Sequence, residues 1–253
     1  MNHQRYFIHL AFNGKNYKGW QLQKNGISVQ SVLNHSLSTV LRMEINVTGC
    51  GRTDAGVHAE NFYAHFDTLS SFTSVKARSI ITRLNGFLPH DIVIYNILPV
   101  TPEANARFSA LSRTYEYRIS RQKNPFGMDF NYEFLGPLDI EVMNRAAKFL
   151  PEFTDFTSFA KLHAQTKTNI CNISEAVWNQ TGNTMTFRIT ADRFLRNMVR
   201  SITGTLINAG RGKLSPDDFR NIIQSKDRSK AGTSLPAKGL YLTDVKYPED
   251  IFI

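Results

Sequence analysis

The chain has 253 residues, of which 42% are hydrophobic and 20% charged, a composition typical of a globular protein with its own core. Its formal net charge of +9 favours a polyanionic partner, and two cysteines without a CxxC pair argue for a reducing compartment and against a zinc site. Since no segment has the length and apolarity of a signal peptide or a membrane span, we expect a soluble cytoplasmic protein.

The first half of the chain is predicted to follow the order β-α-β-β-α-β. Residues 6–12 alternate like a strand and run into the turn signal Asn13-Gly14. Apolar residues at helical spacing predict a helix over 29–41, with Ser28 as its cap. The pattern then predicts a short strand at 45–47, a strand at 61–66, a helix at 74–84 and a strand at 92–100.

The second half is predicted to repeat this plan. Its elements are a strand at 114–119, a helix at 140–150 after Asp139, a hairpin of 174–178 and 184–190 around Gly182-Asn183, helices at 194–208 and 216–224, and a strand at 241–247. The expected fold class is α/β (α+β), with two similar ferredoxin-like halves forming an extended, mainly antiparallel sheet flanked by helices. We expect the halves to span 1–105 and 106–253, with a central ligand cleft between them.

Basic residues concentrate in two stretches of the second half. Between Arg193 and Lys213 there are five basic residues and no acidic one. The other stretch contains one acidic residue, Glu116, among Arg113, Arg118, Arg121 and Lys123. Such groups contact a polyanion or form solvated faces without a partner, and composition alone leaves both alternatives open.

The segment from Gly49 to His58, Gly-Cys-Gly-Arg-Thr-Asp-Ala-Gly-Val-His, carries the clearest functional signal. Three glycines around Arg52 and Asp54 predict a loop of unusual backbone geometry that presents both side chains from the end of a strand. The alternative is a tight turn in which Asp54 caps its own backbone.

Several motifs resemble those of one family. Residues 51–58 resemble the signature of the tRNA pseudouridine synthases of the TruA type, in which the invariant aspartate matches Asp54. The resemblance extends over nearly the whole chain, at Tyr17-Lys18-Gly19-Trp20-Gln21, Ser28-Val29-Gln30, Ala106-Arg107-Phe108-Ser109-Ala110, Arg113-Thr114-Tyr115-Glu116-Tyr117, Asp155-Phe156-Thr157-Ser158-Phe159, Phe194-Leu195-Arg196-Asn197-Met198-Val199-Arg200 and Gly239-Leu240-Tyr241-Leu242. It departs from the family at 231–237, at the rim of the expected pocket, and in its short tail after Tyr247.

The resemblance implies a pseudouridine synthase fold and an isomerase that detaches uracil from ribose C1′, turns it and rejoins it through C5. This reaction involves no redox change or net hydrolysis, so no cofactor and no metal are expected. Asp54 is implied as the catalytic carboxylate, acting as nucleophile or base, and the attacked atom stays open. A carboxylate in a closed pocket keeps its charge more easily beside a cation, and the family arginine in that place matches Arg200.

The resemblance assigns three further residues to the uridine. Tyr115 matches the catalytic tyrosine that lies against uracil and is expected to help remove the C5 proton, although an aromatic in an alternating strand is otherwise more often part of the core. Arg52 is expected to fill the position that the everted uridine leaves, with an internal ion pair to Asp54 as the alternative. Leu240 is expected to wall the uracil pocket.

The implied substrate is the anticodon stem-loop of tRNA, at positions 38, 39 and 40, although relatives with this motif modify other uridines. A homodimer in which one tRNA touches both subunits is also implied. The basic stretches are expected to contact the RNA backbone and to recognise the stem by its shape. The residues expected to make these contacts are Arg113, Arg193, Arg196, Arg211 and Lys213.

Three rival interpretations remain. His58-Ala59-Glu60 matches the H-x-E half of a zinc nucleobase deaminase, but the later P-C-x-x-C is missing. A glycosidase that releases the base would break the same first bond. An RNA-binding or folding module would contain Asp54 only incidentally.

Overall fold

The computed structural model describes residues 4–161 and 167–253, which form two compact units. Unit 1 comprises the described residues up to Leu111 together with Leu242–Ile253, and unit 2 comprises Ser112–Tyr241. The division into two domains, 1–105 and 106–253, stays a prediction, because compactness alone does not show that each part folds and functions as a domain.

Unit 1 is an antiparallel sheet with two helices. Its elements are the strands β1 (Gln4–Phe12), β2 (Thr48–Gly49), β3 (His58–Thr68) and β4 (Ile92–Val100), and the helices α1 (Val29–Leu41) and α2 (Ser74–Phe87). β1 lies between β3 and β4, antiparallel to both, and β2 pairs with β3. The order is β-α-β-β-α-β as predicted, with Thr48–Gly49 as its second strand in place of 45–47.

Local sequence signals set several boundaries of unit 1. α1 has the predicted bounds because the Ser28 side chain accepts a hydrogen bond from the Ser31 N–H at 3.1 Å, and the Ser31 hydroxyl accepts one from the Ser28 N–H. The predicted strand at 45–47 is wrong. The Ile45 N–H donates to Ser38 Oγ at 2.9 Å and the Val47 N–H donates to Asn34 Oδ1 at 3.0 Å, so side chains of α1 take the donors that a strand partner would need.

Unit 2 also combines helices with mainly antiparallel strands. Its elements are the strands β5 (Ser112–Ser120), β6 (Tyr132–Glu133), β7 (Ile173–Thr181) and β8 (Thr184–Ala191), and the helices α3 (Ile140–Ala147), α4 (Met198–Gly210) and α5 (Pro216–Ser225). β8 is antiparallel to both β5 and β7, and β6 is parallel to β5. The last strand, β9 (Leu240–Lys246), begins in unit 2 and continues in unit 1. The predicted α/β class with mainly antiparallel strands is confirmed.

Two predicted helices of unit 2 were too long. The helix predicted at 194–208 begins at Met198, because Asn197 has φ of 68° and ψ of 0°, a left-handed conformation that cannot continue an α-helix. The helix predicted at 140–150 ends at Ala147, and Pro151, which disfavours helical geometry in the residue before it, follows within a 3-10 turn. The β7–β8 hairpin is confirmed, and Gly182 in its turn has φ of 55°.

Candidate functional site

The loop that carries Asp54 connects β2 to β3. Asp54 is half-buried, whereas Arg52 is exposed. The Val57 N–H donates to the Asp54 carbonyl oxygen at 3.2 Å, and Gly56 has φ of 80°, so the chain turns sharply just after Asp54. The predicted loop of unusual backbone geometry is therefore present.

A second segment, residues 14–20, supports this loop from within unit 1. The Trp20 N–H lies 3.1 Å from Thr53 Oγ1 and 3.4 Å from the Thr53 carbonyl oxygen, and the Gly56 N–H donates to the Tyr17 carbonyl at 3.3 Å. At Gly19, which has φ of 85°, a Cβ atom would lie 2.2 Å from the Thr53 carbonyl oxygen. Only glycine permits this approach, and the backbone around Asp54 is held at close range.

Asp91 anchors the supporting segment. Its carboxylate accepts hydrogen bonds from the Tyr17 hydroxyl and, at 3.2 Å, from the Asn16 amide, and its carbonyl accepts one from the Asn13 N–H at 2.9 Å. Burial, followed by the hydrogen bond to Asp91, raises the pKa of Tyr17 above its usual range. Sequence reasoning missed Asp91, because an aspartate at the start of a strand has no distinctive local pattern.

Arg52 lines a small open pocket of unit 1. Within residues 4–161 and 167–253, Arg52 forms no ion pair, so the predicted alternative of a pair with Asp54 is not found. The pocket has a volume of about 110 Å³ and is lined by Trp20, Gln21, Gln30, Thr48, Gly49, Gly51, Arg52 and Arg107.

The predicted tyrosine lies in β5 of unit 2. Tyr115 is buried, and its ring contacts Phe194 edge to face, with centroids 5.2 Å apart. Tyr117, two residues further on, donates its hydroxyl to the Pro236 carbonyl at 2.7 Å, and burial raises its pKa. The hydroxyl of Tyr117 thus has a structural role.

Arg200 lies in the first turn of α4 and is half-buried. Its Nε donates to the Leu235 carbonyl at 2.6 Å, while the Leu235 N–H donates to the Arg200 carbonyl at 3.2 Å. These reciprocal bonds fix the guanidinium beside the segment that precedes β9. Leu240, the first residue of β9, is buried.

Unit 1 therefore contains Asp54 and Arg52, and unit 2 contains Tyr115, Arg200 and Leu240. Within each unit these side chains have defined local environments. That these five side chains line one cleft stays a prediction.

The predicted RNA backbone residues differ in their environments. Arg113 donates to the Asp192 carbonyl at 2.7 Å, and Arg193 lies 3.5 Å and 3.4 Å from the carbonyls of Thr168 and Ile170. The other three are exposed: Arg196, Arg211 and Lys213. The exposed three are the better placed to reach a phosphate backbone.

The neighbouring basic stretch is partly neutralised. Glu116 lies 3.0 Å from the guanidinium of Arg118 and 3.5 Å from that of Arg188, and Arg118 also lies 4.0 Å from the centre of the Tyr241 ring. These ion pairs reduce the local positive charge, so this stretch is a weaker candidate for RNA contact than the composition suggested.

The geometry gives no support to the zinc interpretation. His58 is buried, and its Nδ1 accepts a hydrogen bond from the Gly14 N–H at 3.2 Å, so this nitrogen supports the segment below the loop. Among the described residues, no group of three His, Cys, Asp or Glu side chains could hold a metal ion. Glu60, the other half of the H-x-E match, is exposed.

Comparisons with known proteins agree over the whole chain. The family model described as tRNA pseudouridine synthase matches residues 153–248. The tRNA pseudouridine synthase A of Parabacteroides distasonis is 51% identical over 249 residues, which cover 98% of each chain, and that of Bacteroides fragilis is 52% identical over 253 residues, which cover 100% of each. The tRNA pseudouridine synthase A of Clostridium acetobutylicum is 38% identical over 240 residues, 94% of this chain and 97% of its own.

Proposed function

Because the chain belongs to the tRNA pseudouridine synthase family, as its motifs predicted, we propose that it isomerises uridines 38, 39 and 40 of the tRNA anticodon stem-loop with Asp54 as its catalytic carboxylate. The observation that carries the assignment of Asp54 is the clamped loop. Trp20 and Tyr17 hold the backbone on both sides of this half-buried aspartate. A carboxylate on such a support can be presented to substrate in one geometry, which is what positioning catalysis requires.

The remaining roles follow the order of the reaction. An everted uridine leaves a gap in its stem, and the exposed side chain of Arg52 is suited to fill it. Asp54 then acts on ribose or base while the C1′–N1 bond breaks, and uracil rotates and rejoins C1′ through C5. C5 loses its proton in a step that Tyr115 assists, and N1 gains a proton, so the overall change is an isomerisation. Tyr115 lies against the base, Leu240 forms an apolar wall, and Arg200 stabilises the negative charge of Asp54. The anchoring of Arg200 on Leu235 supports a cation of fixed position.

Substitution of Asp54 tests the proposal. Asp54→Asn keeps the shape of the side chain but removes its charge, and we expect at least a thousandfold loss of the single-turnover rate, with tRNA affinity within about threefold of wild type. The matched control is Glu60→Gln, which neutralises an exposed carboxylate six residues away and should retain activity. An unchanged rate in Asp54→Asn removes the mechanism, and an equal loss in Glu60→Gln would show that the effect is not specific to Asp54.

Nucleoside analysis of the product separates the rival reactions. A synthase retains uracil joined to ribose through carbon, a glycosidase releases free uracil, and an RNA-binding module leaves the tRNA unchanged. Mapping the modified positions decides between uridines 38, 39 and 40 and the second candidate, other tRNA uridines modified by the same chemistry.

The proposal includes a homodimer that acts in the cytoplasm, with one tRNA touching both subunits. No helix within the described ranges is long and apolar enough to cross a membrane. Unit 2 exposes apolar side chains that an interface could cover, including Phe126, which is 93% exposed, and Met128. Sedimentation analysis with and without tRNA tests the assembly, and a monomer at working concentration would contradict it.

A further inference from the structure

Residues 231–235 belong to the stretch that departs from the family, and they pack directly on α4. At Gly204 in this helix, a Cβ atom would lie 2.0 Å from the Thr233 carbonyl oxygen. Only a residue without a side chain allows this approach. The Leu235 N–H also donates to the Arg200 carbonyl at 3.2 Å. The segment therefore lies against the backbone of the helix that carries Arg200.

Arg228, in the 3-10 turn Arg228–Lys230, holds the same segment through its side chain. Its Nη1 lies 3.2 Å from the Ala231 carbonyl oxygen and 3.3 Å from that of Gly232, and its Nη2 donates to Ser234 Oγ at 3.2 Å. The guanidinium is planar, so these bonds restrict the relative positions of the three acceptors. A single half-buried side chain thus ties most of the segment together.

Two contacts connect the segment to Arg200 and to the start of its helix. The Ser234 hydroxyl accepts a second bond, from the amide of Asn197, whose left-handed backbone precedes the first turn of α4. The next residue, Leu235, accepts the Nε–H of Arg200 at 2.6 Å through its carbonyl oxygen. Bonds therefore run from the guanidinium of Arg228, through the segment, to the guanidinium of Arg200.

Arg228 is poorly placed for the alternative role of a cation that binds RNA. Both of its terminal nitrogens already bond to protein oxygen atoms, and contact with a phosphate would compete with these bonds. The other alternative is a role in stability alone. That role predicts a lower free energy of unfolding when Arg228 is replaced, without a specific effect on the chemical step.

From these contacts we infer that Arg228 is a positioning residue, which sets the place of the Arg200 guanidinium through residues 231–235. The inference rests on the proposed function, in which Arg200 stabilises the negative charge of Asp54. It adds a residue that lies outside the motifs of the family resemblance. Because the attraction between two charges depends on their distance, a displaced guanidinium stabilises the carboxylate less. Arg228 therefore affects the chemical step more than the binding of tRNA.

The test separates positioning from stability and from binding. The single-turnover rate at saturating enzyme, the tRNA affinity and the free energy of unfolding are measured for wild type, Arg228→Gln and Arg228→Lys. Arg200→Lys and the double variant with Arg228→Gln complete a cycle. The matched control is Asn144→Ala, which removes two bonds of 3.1 Å and 2.8 Å between this side chain and the Trp178 backbone in unit 2.

We expect Arg228→Gln to lower the single-turnover rate about tenfold or more, with tRNA affinity within about twofold of wild type. Arg228→Lys should have an intermediate rate, because an ammonium group can bond to some of the same acceptors. In the Arg200→Lys background, Arg228→Gln should lower the rate by less than about twofold, since the guanidinium that it positions is already absent. Asn144→Ala should lower stability and keep the rate within about twofold of wild type.

An NMR measurement checks the position of Arg200 without reference to activity. In protein that contains isotope-labelled arginine, the Nε–H signal of Arg200 is identified by its loss in Arg200→Lys. This group donates to the Leu235 carbonyl, so its exchange with solvent should be slow in wild type and in Asn144→Ala. In Arg228→Gln the exchange should be at least about fivefold faster.

Four results would overturn the inference: a wild-type rate in Arg228→Gln, an equal loss of rate in Asn144→Ala, losses that multiply in the double variant, or unchanged exchange of the Arg200 Nε–H. If Arg228→Gln does not fold, the same comparisons are made with Arg228→Lys. Pseudouridine is quantified in the same reactions. If wild type forms none, the proposed function fails, whereas normal product with no effect of either Arg228 substitution removes only the positioning role.

Discussion

Tyr17 connects the Asp54 loop to the rest of unit 1 through its backbone carbonyl and its side-chain hydroxyl. Its carbonyl accepts the Gly56 N–H, and its hydroxyl donates to Asp91 at the start of β4. Tyr17 itself is 6% exposed, and its bond to Asp91 is partly buried. Tyr17 can therefore control where the carboxylate of Asp54, the proposed catalytic group, lies.

Tyr17→Phe removes the hydroxyl and keeps the ring. We expect the single-turnover rate at saturating tRNA to fall about ten- to a hundredfold, because a small displacement of a catalytic group is costly, with tRNA affinity within about twofold of wild type. Tyr95→Phe is the control, since that tyrosine of β4 is 47% exposed. Plots of rate against enzyme concentration separate the two effects, and a loss confined to affinity would count against a positioning role.

His65 links the stability of unit 1 to pH. It is buried, its Nδ1 accepts the Ala106 N–H, and desolvation, followed by the charge of Arg5, lowers its pKa from 6.5 to about 4. The unfolded chain therefore binds a proton more readily than the folded chain does. The stability contributed by neutral His65 is complete above about pH 6.5 and is lost as the pH falls through about 4.

The free energy of unfolding should fall by on the order of 2 kcal/mol between pH 6.5 and pH 4 through this group alone. His65→Asn provides an acceptor that does not titrate, so its unfolding free energy should change less over the same range. Urea titrations of both proteins across this interval measure the difference, and parallel curves would show that His65 makes no such contribution.

At the scale of elements, the start of α4 depends on one residue with a left-handed backbone. Asn197 turns the chain into the helix that carries Arg200, and its side-chain amide donates to the Ser234 hydroxyl. Asparagine tolerates this conformation better than most residues, and glycine tolerates it without strain. The sequence pattern predicted a helix that includes 194–197, because the spacing of apolar residues carries no information about the sign of φ.

This geometry predicts an inverted order of stability for two substitutions. Asn197→Ala and Asn197→Gly both lose the bond to Ser234, but only alanine is strained at φ of 68°. We expect the glycine variant to be more stable than the alanine variant by about 1 kcal/mol, the reverse of the usual order in and around helices. Thermal and urea unfolding measure this, and a more stable alanine variant would mean that the helix start has rearranged.

Over the whole molecule, only part of the excess positive charge is available to contact a polyanion. Among the described residues, Arg118 and Arg188 share Glu116, and Arg113 and Arg193 are directed to backbone carbonyls. The exposed cations of the stretch from Arg193 to Lys213 are Arg196, Arg211 and Lys213, and they lie at the surface. A net charge of +9 therefore describes attraction to a polyanion in general, and the contacts of individual arginines decide which of them can reach it.

The sequence by itself determined the elements whose signals are local. Apolar spacing and the Ser28 cap predicted α1 to the residue, and an apolar run predicted β4 to the residue. A glycine turn predicted the β7–β8 hairpin, and the motif around Asp54, through its family resemblance, predicted the chemistry. Each of these depends on residues within a few positions of one another, so no knowledge of the chain path was needed.

Only the tertiary structure decided how the Asp54 loop is held and what surrounds it. Tyr17 and Asp91 are 74 residues apart, Trp20 and Thr53 are 33 apart, and Arg107 reaches the pocket from yet another segment of unit 1. Such contacts arise when the sheet brings distant segments together. Individual side chains and backbone groups then form hydrogen bonds with one another. Their pairing depends on the path of the chain, which local spacing does not encode.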